Sequence, residues 1–422
     1  MLTNINKKTA LNLQPISQNI SVTFHYDIHF TNNLFNLKNR TLAQIITADK
    51  EAKPKKVIAV VDAGLLLFWP ELLQQITAYS QFYAEILTLA AEPIIVPAGE
   101  AAKNNPKLVE QIHQLIETTG LCRHSYLLAV GGGAVLDLGG YAAATAHRGI
   151  RLIRIPTTVL AQNDSGVGVK NGINAFGKKN FLGTFAPPYA VINDSAFLTT
   201  LEDRDWRSGI AEALKVALIK DARFFDFICD RSAALACHDM DSMQQLIYRC
   251  AQLHLDHIAT SGDSFEMGSS RPLDFGHWAA HKLEQLTDYN LRHGEAVAIG
   301  IALDSTYSYL KGLLSRSEWR RILKTLSTLG FRLYVPELTE KSSQLGHPRC
   351  IFQGLTEFRE HLGGELTLML LQGVGEGIEV HEVDISLYRQ AISLLYEDEF
   401  RDENLSSPTP YSPLPTPYLQ VR

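Results

Sequence analysis

Residues 125–147 read SYLLAVGGGAVLDLGGYAAATAH. An apolar run meets three consecutive glycines and passes at once into a small-residue segment with helical spacing. Strand, glycine turn and helix in immediate succession constrain this part of the chain to a parallel α/β arrangement, because the helix must carry the chain back across the sheet. The surroundings repeat the alternation. KKVIAVVDAGL (55–65) reads as a buried strand ending at Asp62, AEPIIVPAGE (91–100) as a second strand, KLVEQIHQLIETTGL (107–121) as a helix closing near Gly120, and IRLIRIPTTVL (150–160) as a strand ending at Pro156. From about Trp206 the texture becomes helical, through GIAEALKVALIKDARFFDFIC, MQQLIYRCAQLHLDHIA and the histidine-bearing stretch 271–300. The expected organisation is an N-terminal extension with first strands (1–50), an α/β domain (51–205), a helical domain (206–400) and a disordered tail rich in Pro and Ser (401–422). Within the helical part, 365–383 reads as a β-hairpin with a Gly-rich turn.

Bulk properties exclude several roles. A net charge of −6 over 422 residues gives no electrostatic footprint for nucleic acid or an anionic membrane. No run of apolar residues is long enough to span a bilayer, and the first residues lack the apolar core of a secretory signal. Five cysteines, odd in number and never spaced CxxC, fit reduced thiols in the cytoplasm.

Three features carry chemistry. The glycine turn (GGGxxxD rather than GxGxxG) lets backbone approach a phosphate at a helix N-terminus, or simply makes a tight, closely packed turn. Asp62 at a strand end could accept from a ribose diol or cap its own turn. His277 and His281 lie four apart on one predicted helix face, His293 opens the next helix, and Glu212 and Lys215 lie one turn apart in GIAEALKVALI. One Glu and two His suit Zn²⁺ or a similar ion, and spacing leaves open which two of the three histidines would serve. The segment 162–183, with Asp164, Lys170, Lys179 and Asn180, reads as a loop, either solvated or gripping a phosphate or hydroxyls.

PAGEAAK, GGGAVLDLGG, HRG, IPTTVLAQNDSGVGVK, KKNFLG, GIAEALKVALI, DFGHWAAHKLE and HGEAVAIG occur in this order between residues 55 and 300. Together they resemble the motifs of the dehydroquinate-synthase-type sugar phosphate cyclases. The resemblance implies a Rossmann-like NAD domain, a mostly α-helical metal and substrate domain, an active site between them, and a homodimer. It implies Glu212, His277 and His293 as ligands of Zn²⁺ or Co²⁺, and His281 as a neighbouring histidine near the substrate phosphate. Asp62, Glu100, Lys103, Gly132, Gly133, Asp137, Thr157, Thr158 and Thr200 fall at NAD positions, with Lys170 and Lys179 at their border with the substrate. Asp164, Lys170, Lys179, Asn180 and Lys215 fall at substrate or catalytic positions, and Arg148 matches an arginine reaching the phosphate in a neighbouring subunit. The implied reaction oxidises a substrate hydroxyl transiently, eliminates phosphate, returns the hydride and closes a ring by an intramolecular aldol step, with no net redox change.

The resemblance is not uniform. Where dehydroquinate synthases read GLRxLLNFGHTxGHAxE, this chain reads GSSRPLDFGHWAAHKLE, so Ser270 stands for an arginine and Asp274 for an asparagine. Asp256 stands where the family has a lysine. The missing cations normally hold a substrate carboxylate, and an aspartate in their place repels one, although Arg271 lies one position from the lost arginine. A substrate without a carboxylate follows, with sedoheptulose 7-phosphate the leading candidate and a valiolone-type cyclitol the product. His281 differs in turn from the 2-epi-5-epi-valiolone and desmethyl-4-deoxygadusol branches, which carry proline there, so the chain reads as a divergent subgroup. The competing readings are a true 3-dehydroquinate synthase acting on 3-deoxy-arabino-heptulosonate 7-phosphate, a metal-dependent polyol or glycerol dehydrogenase, and a non-catalytic binder.

Overall fold

The computed structural model describes residues 15–48, 53–260, 265, 272–361 and 364–402. Ser270, Arg271, the first part of the N-terminal extension and nearly all of the Pro-rich tail lie outside these. The strands are β1 (Asp27–Thr31), β2 (Lys55–Asp62), β3 (Leu87–Leu89), β4 (Ile94–Val96), β5 (Tyr126–Gly131), β6 (Arg151–Pro156), β7 (Lys170–Ala175), β8 (Lys178–Phe185), β9 (Ala190–Asp194), β10 (Leu368–Gly373) and β11 (Glu376–Val380). The helices are α1 (Thr41–Thr47), α2 (Leu72–Phe82), α3 (Pro106–Thr118), α4 (Gly133–Thr145), α5 (Asp203–Lys220), α6 (Ala222–Ala236), α7 (Met240–Thr260), α8 (His277–Leu286), α9 (His293–Leu310), α10 (Arg316–Thr328), α11 (Gln353–His361) and α12 (Ile385–Asp402).

A parallel sheet runs in the order β1-β9-β6-β5-β2-β3, and β4 continues the β3 edge beside the second half of β2. The apolar runs read as buried strands are buried on both faces. In β2, Val57, Ala59 and Val61 enter the layer beneath α1 and α2, whereas Ile58 and Val60 enter the layer beneath α3 and α4. β5 divides in the same way, with Tyr126, Leu128 and Val130 on one side and Leu127 and Ala129 on the other. All pairings in this sheet are parallel, so Asp62, Val96, Gly131, Pro156 and Asp194 end their strands on one edge, where open α/β sheets bind ligands.

The helical half begins at Asp203, three residues before the expected boundary, and surrounds α5 and α9. Nearly every side chain of α9 between Gly294 and Ser308 is buried, Asp304 among them, which makes α9 the central helix of this half. The hairpin expected within 365–383 is β10–β11. No helix among the described residues is long and apolar enough to cross a membrane.

One expectation is corrected. Residues 162–183 are not a loop: a single wide helical turn (Ala161–Ser165) is followed by the antiparallel hairpin β7–β8. Phe176 and Gly177, at φ +53° and +71°, form a two-residue turn of the kind whose twist suits a hairpin. The usual Asn-Gly or Asp-Gly signal is absent from AFGK, so the turn was not legible. Arg154, fully buried in β6, fixes the segment by donating to the carbonyls of Gly166 (3.0 Å), Gly168 (2.6 Å) and Lys170 (2.8 Å) and to Asn171 Oδ1 (2.6 Å).

Candidate active site

Three helix segments meet behind the sheet edge and bring together Glu212, His277 and His293. Glu212 lies in the middle of α5 and is fully buried. His277 opens α8 after Gly276, whose φ of +77° belongs to the left-handed region that glycine alone adopts freely. His293 opens α9, and that helix start is pressed onto α5. A Cβ on Gly294 would lie 2.4 Å from the Ser208 backbone, so only glycine permits the approach. The junction is clamped by Arg204, which donates to both oxygens of Glu295 at 2.8 and 2.6 Å, while Glu295 accepts from Arg292 N at 3.0 Å.

His293 Nε2 lies 3.2 Å from Glu212 Oε1, and His277 Nε2 lies 3.7 Å from the same oxygen. Each ring is held from behind. His277 Nδ1 donates to the Phe275 carbonyl (3.2 Å), and His293 Nδ1 lies 3.4 Å from Glu284 Oε2. One donor atom from each of Glu212, His277 and His293 lies within 4.8 Å of the others. His281 is one turn along α8, exposed, and groups instead with Glu284 and His293.

The electrostatics keep Glu212 ionised and open to a cation. Burial works against charge on Glu212, but Lys215, His293 and His277 outweigh it and hold the carboxyl well below its usual range. Burial also works against the Lys215 ammonium, which Glu212, Asp164 and Asp274 keep charged above its ordinary range. His277 is pushed well below its ordinary value, by burial first and then by Lys215, so it is a neutral imidazole. His293, despite burial, is raised to about 10 by its contacts with Glu212 and Glu284. Both Glu212 oxygens are shut from solvent; Lys215, one turn along α5, is ion-paired with Oε2, and neither oxygen receives a well-directed hydrogen bond among the described residues. A buried carboxylate in that condition, with two imidazole nitrogens converging on it, fits a divalent ion of the zinc type.

The sheet edge supplies the second half. Asp62 Oδ1 accepts from Gly64 N at 2.8 Å, and its carboxylate also meets the Gly132 amide. Burial nevertheless raises Asp62 above its ordinary value. Gly132 caps α4 with no side-chain acceptor, and because Val135 N and Leu136 N donate to its carbonyl at 3.0 and 3.1 Å, only the amides of Gly133 and Ala134 could serve a ligand at this helix start. Beside it, a Cβ on Gly133 would lie 2.7 Å from Ser165 Oγ, a buried hydroxyl with no partner among the described residues. Glu100 and Lys103 follow β4, Thr157 and Thr158 follow β6, and Thr200 follows β9, so every expected dinucleotide residue on a loop lies past this edge. Thr158 Oγ1 accepts from Ala161 N at 3.1 Å, and Thr200 Oγ1 accepts from Trp69 Nε1 at 3.0 Å. Lys103 contacts Asp137 (2.7 Å) and Asn180, tying the sheet edge to the hairpin. Asn174 of that hairpin donates to Glu100 at 2.9 Å. These residues could cradle a dinucleotide.

Other expected residues divide. Asp164 and Asp274 both act on Lys215 and so belong to the cluster. Lys179 lies 3.3 Å from Glu284 Oε1 and 4.7 Å from the centroid of the Tyr289 ring, joining the hairpin to α8. Lys170 begins the hairpin with an exposed side chain. Asp256 is exposed on α7, two residues from the site-facing His254 and therefore on a different side of the helix. Arg148 is exposed at the far end of α4, about 20 Å from the glycine turn by helix length, with φ +62°.

The sequence reading missed three residues. His254 Nδ1 lies 3.2 Å from Asp164 Oδ1, and no spacing pointed to it. Arg154 was visible as a charge inside an apolar strand, and Glu284 as the third member of the His277–His281 face, at i+7.

The family model for the 3-dehydroquinate synthase N-terminal domain matches residues 93–208, and that for the C-terminal domain matches 209–345. The chain is 35% identical to the 3-dehydroquinate synthase of Ruegeria pomeroyi over 309 residues, covering 73% of this chain and 81% of that one. Among solved structures it resembles ValA, the 2-epi-5-epi-valiolone synthase of Streptomyces hygroscopicus subsp. jinggangensis 5008 with NAD⁺ and Zn²⁺ bound. The TM-score is 0.78 at 29% identity, covering 91% of this chain and all of that one. A 2-deoxy-scyllo-inosose synthase complexed with carbaglucose-6-phosphate, NAD⁺ and Co²⁺ shares the fold at a TM-score of 0.69 and 22% identity, covering 86% and 95%. The two matched domains, which meet within the helix that carries Glu212, and the 35% identity over most of the Ruegeria pomeroyi enzyme together establish that the chain belongs to the 3-dehydroquinate synthase family of sugar phosphate cyclases.

Proposed function

We propose that this protein is an NAD- and divalent-metal-dependent cyclase, a carbon–oxygen lyase, whose substrate is a seven-carbon ketose phosphate lacking a carboxylate. Sedoheptulose 7-phosphate is the leading candidate and a valiolone-type cyclitol the product. The observation that carries the reading is Asp274. Its carboxylate stands where the family has asparagine and lies close enough to buried Lys215 to help hold its charge. A substrate carboxylate brought to that place would meet repulsion from Asp274 worth about 2–5 kcal/mol in a partly desolvated site.

Glu212, His277 and His293 would hold Zn²⁺ or Co²⁺, the two histidines through Nε2. Asp62, Glu100, Lys103, Gly132, Gly133, Asp137, Thr157, Thr158 and Thr200 would hold the dinucleotide. When bound, these groups supply a reversible hydride acceptor and a Lewis acid for the reacting oxygens. Lys215 meets developing negative charge on substrate oxygen with its fixed ammonium. Asp164, in contact with His254, accepts a hydroxyl proton and can share it with the imidazole. Lys170, Lys179 and Asn180 approach the phosphate from the hairpin, with His281 at the exposed side of the cluster. Arg148, remote from the glycine turn of its own chain, serves a neighbouring subunit in a homodimer. Holding the opened chain between hairpin and α8 supplies the orientation that the aldol closure needs.

A second reading, 3-dehydroquinate synthase, is favoured by the 35% identity to the Ruegeria pomeroyi enzyme. Incubation of the purified protein with NAD⁺, Co²⁺ and each heptulose phosphate in turn distinguishes them, through phosphate release and product mass. Release from sedoheptulose 7-phosphate is expected. Release only from the carboxylated sugar overturns the proposal in favour of the second reading, and net NADH accumulation would point to a dehydrogenase.

A further inference from the structure

Glu284 is 6% exposed, lies on the same face of α8 as His277 and His281, and has a separate partner for each oxygen. Oε2 faces His293 Nδ1 at 3.4 Å and Oε1 faces the Lys179 ammonium at 3.3 Å. His293 presents its other nitrogen, Nε2, to Glu212 at 3.2 Å. Lys179, Glu284, His293 and Glu212 therefore form one continuous chain from the β7–β8 hairpin to the buried carboxylate.

We infer that Glu284 is a positioning residue for the metal site: its carboxylate accepts a hydrogen bond from Nδ1–H of His293, keeps the proton on that nitrogen, and so presents Nε2 as the nitrogen that an ion would take in place of its proton. A histidine ligand held by a carboxylate at its second nitrogen is both oriented and made more basic, and loss of such a partner typically weakens metal binding about 10- to 100-fold. Glu284, His281 and His293 could themselves be read as a second metal group, since their donor atoms also lie within 4.8 Å of one another. One observation speaks against that: the Lys179 ammonium lies 3.3 Å from Glu284 Oε1 and occupies the approach to this carboxylate. The same contact joins the hairpin to α8 through Lys179 and Glu284.

The inference rests on the metal reading above, and the test separates the two. Co²⁺ binding is measured by competition with a chelator of known affinity, alongside ion stoichiometry and the cobalt absorption spectrum, in wild type, Glu284→Gln, Glu284→Asp and Lys179→Met. Wild type and Lys179→Met are expected to bind one ion per chain. Glu284→Gln should bind it about 10- to 100-fold more weakly with an altered spectrum, Glu284→Asp should recover part of the loss, and NAD⁺ affinity should be unchanged in both. Unchanged cobalt affinity in Glu284→Gln, or two ions per chain in wild type or Lys179→Met, overturns the inference while leaving the metal reading intact. A wild type that binds no ion overturns both. A measurement independent of variant folding is the ¹⁵N spectrum of histidine-labelled wild type with Zn²⁺, assigned with His293→Gln. A protonated Nδ1 and a metal-bound Nε2 are expected for His293, and a metal-bound or unprotonated Nδ1 overturns the inference.

Discussion

Asp304 offers the sharpest quantitative test of how the site is supported. It is fully buried in α9, where its carboxylate accepts from Gly276 N (3.1 Å), Trp278 Nε1 (3.0 Å) and the Tyr388 hydroxyl (2.8 Å). Gly276 and Trp278 flank His277, so this side chain is the strut under the turn that presents His277. Burial dominates the three hydrogen bonds and raises Asp304 from 3.8 to about 7. A folded value above the unfolded one means that the stabilisation is fully present below about pH 4 and is lost as pH rises toward and through about 7. The whole shift corresponds to about 4 kcal/mol, of which about 3 kcal/mol falls between about pH 5 and about pH 8. In Asp304→Asn the amide cannot ionise, so that slope disappears. The Asn amide must also place a donor against one of three donors, a mismatch of about 1–3 kcal/mol that does not vary with pH and that the protonated wild-type carboxyl shares. Urea unfolding of both proteins across this pH range checks the difference. Wild type is expected to lose about 3 kcal/mol relative to the variant between the two ends. Parallel stability profiles would refute the argument that Asp304 titrates as a buried acid.

Further perturbations address other parts of the site. Glu212→Gln removes the only carboxylate in the Glu212–His277–His293 group and is expected to abolish stoichiometric Co²⁺ binding and to cut turnover by about 1,000-fold or more, read by equilibrium dialysis and phosphate release. Asp274→Asn restores the family residue, and its kcat/KM for 3-deoxy-arabino-heptulosonate 7-phosphate should rise at least about 10-fold relative to that for sedoheptulose 7-phosphate. No change in that ratio would remove the charge argument for substrate choice. Gly294→Ala forces a methyl group to 2.4 Å from the Ser208 backbone and should destabilise the fold by about 1–3 kcal/mol while weakening metal binding, measured by denaturant titration and chelator competition.

Legibility from sequence followed the physics of each element. β2 and β5 were plain because both faces are buried, which makes an uninterrupted apolar run. The glycine turn and the residues just past strand ends were legible because parallel connectivity forces them onto one edge. The Glu212–His277–His293 grouping was only half legible: helix periodicity put His277 and His281 on one face, but the packing of α9 on α5 decides that His293 and not His281 faces Glu212. The β7–β8 hairpin was missed because its turn uses Phe176 and Gly177 and because its order is imposed from outside, by Arg154. β1 was expected only loosely, as a strand somewhere within 1–50, for a related reason. It pairs with β9, about 160 residues later, and only three of its five side chains are even partly shielded.

The charges near Lys215 tie these threads together. Glu212, Asp164 and Asp274 present three carboxylates to one buried ammonium, and His277 is held neutral. Lys179 is already opposed by Glu284, and Arg154 spends its hydrogen bonds on backbone carbonyls and Asn171. Such a site gains by taking up a divalent cation. This balance of charge underlies the proposal that the substrate brings one phosphate, met by the hairpin lysines, and no carboxylate. The acidic groups around Lys215 are thus the ones on which the proposal of a substrate without a carboxylate rests, and Asp274 is the one among them that stands where the family has asparagine.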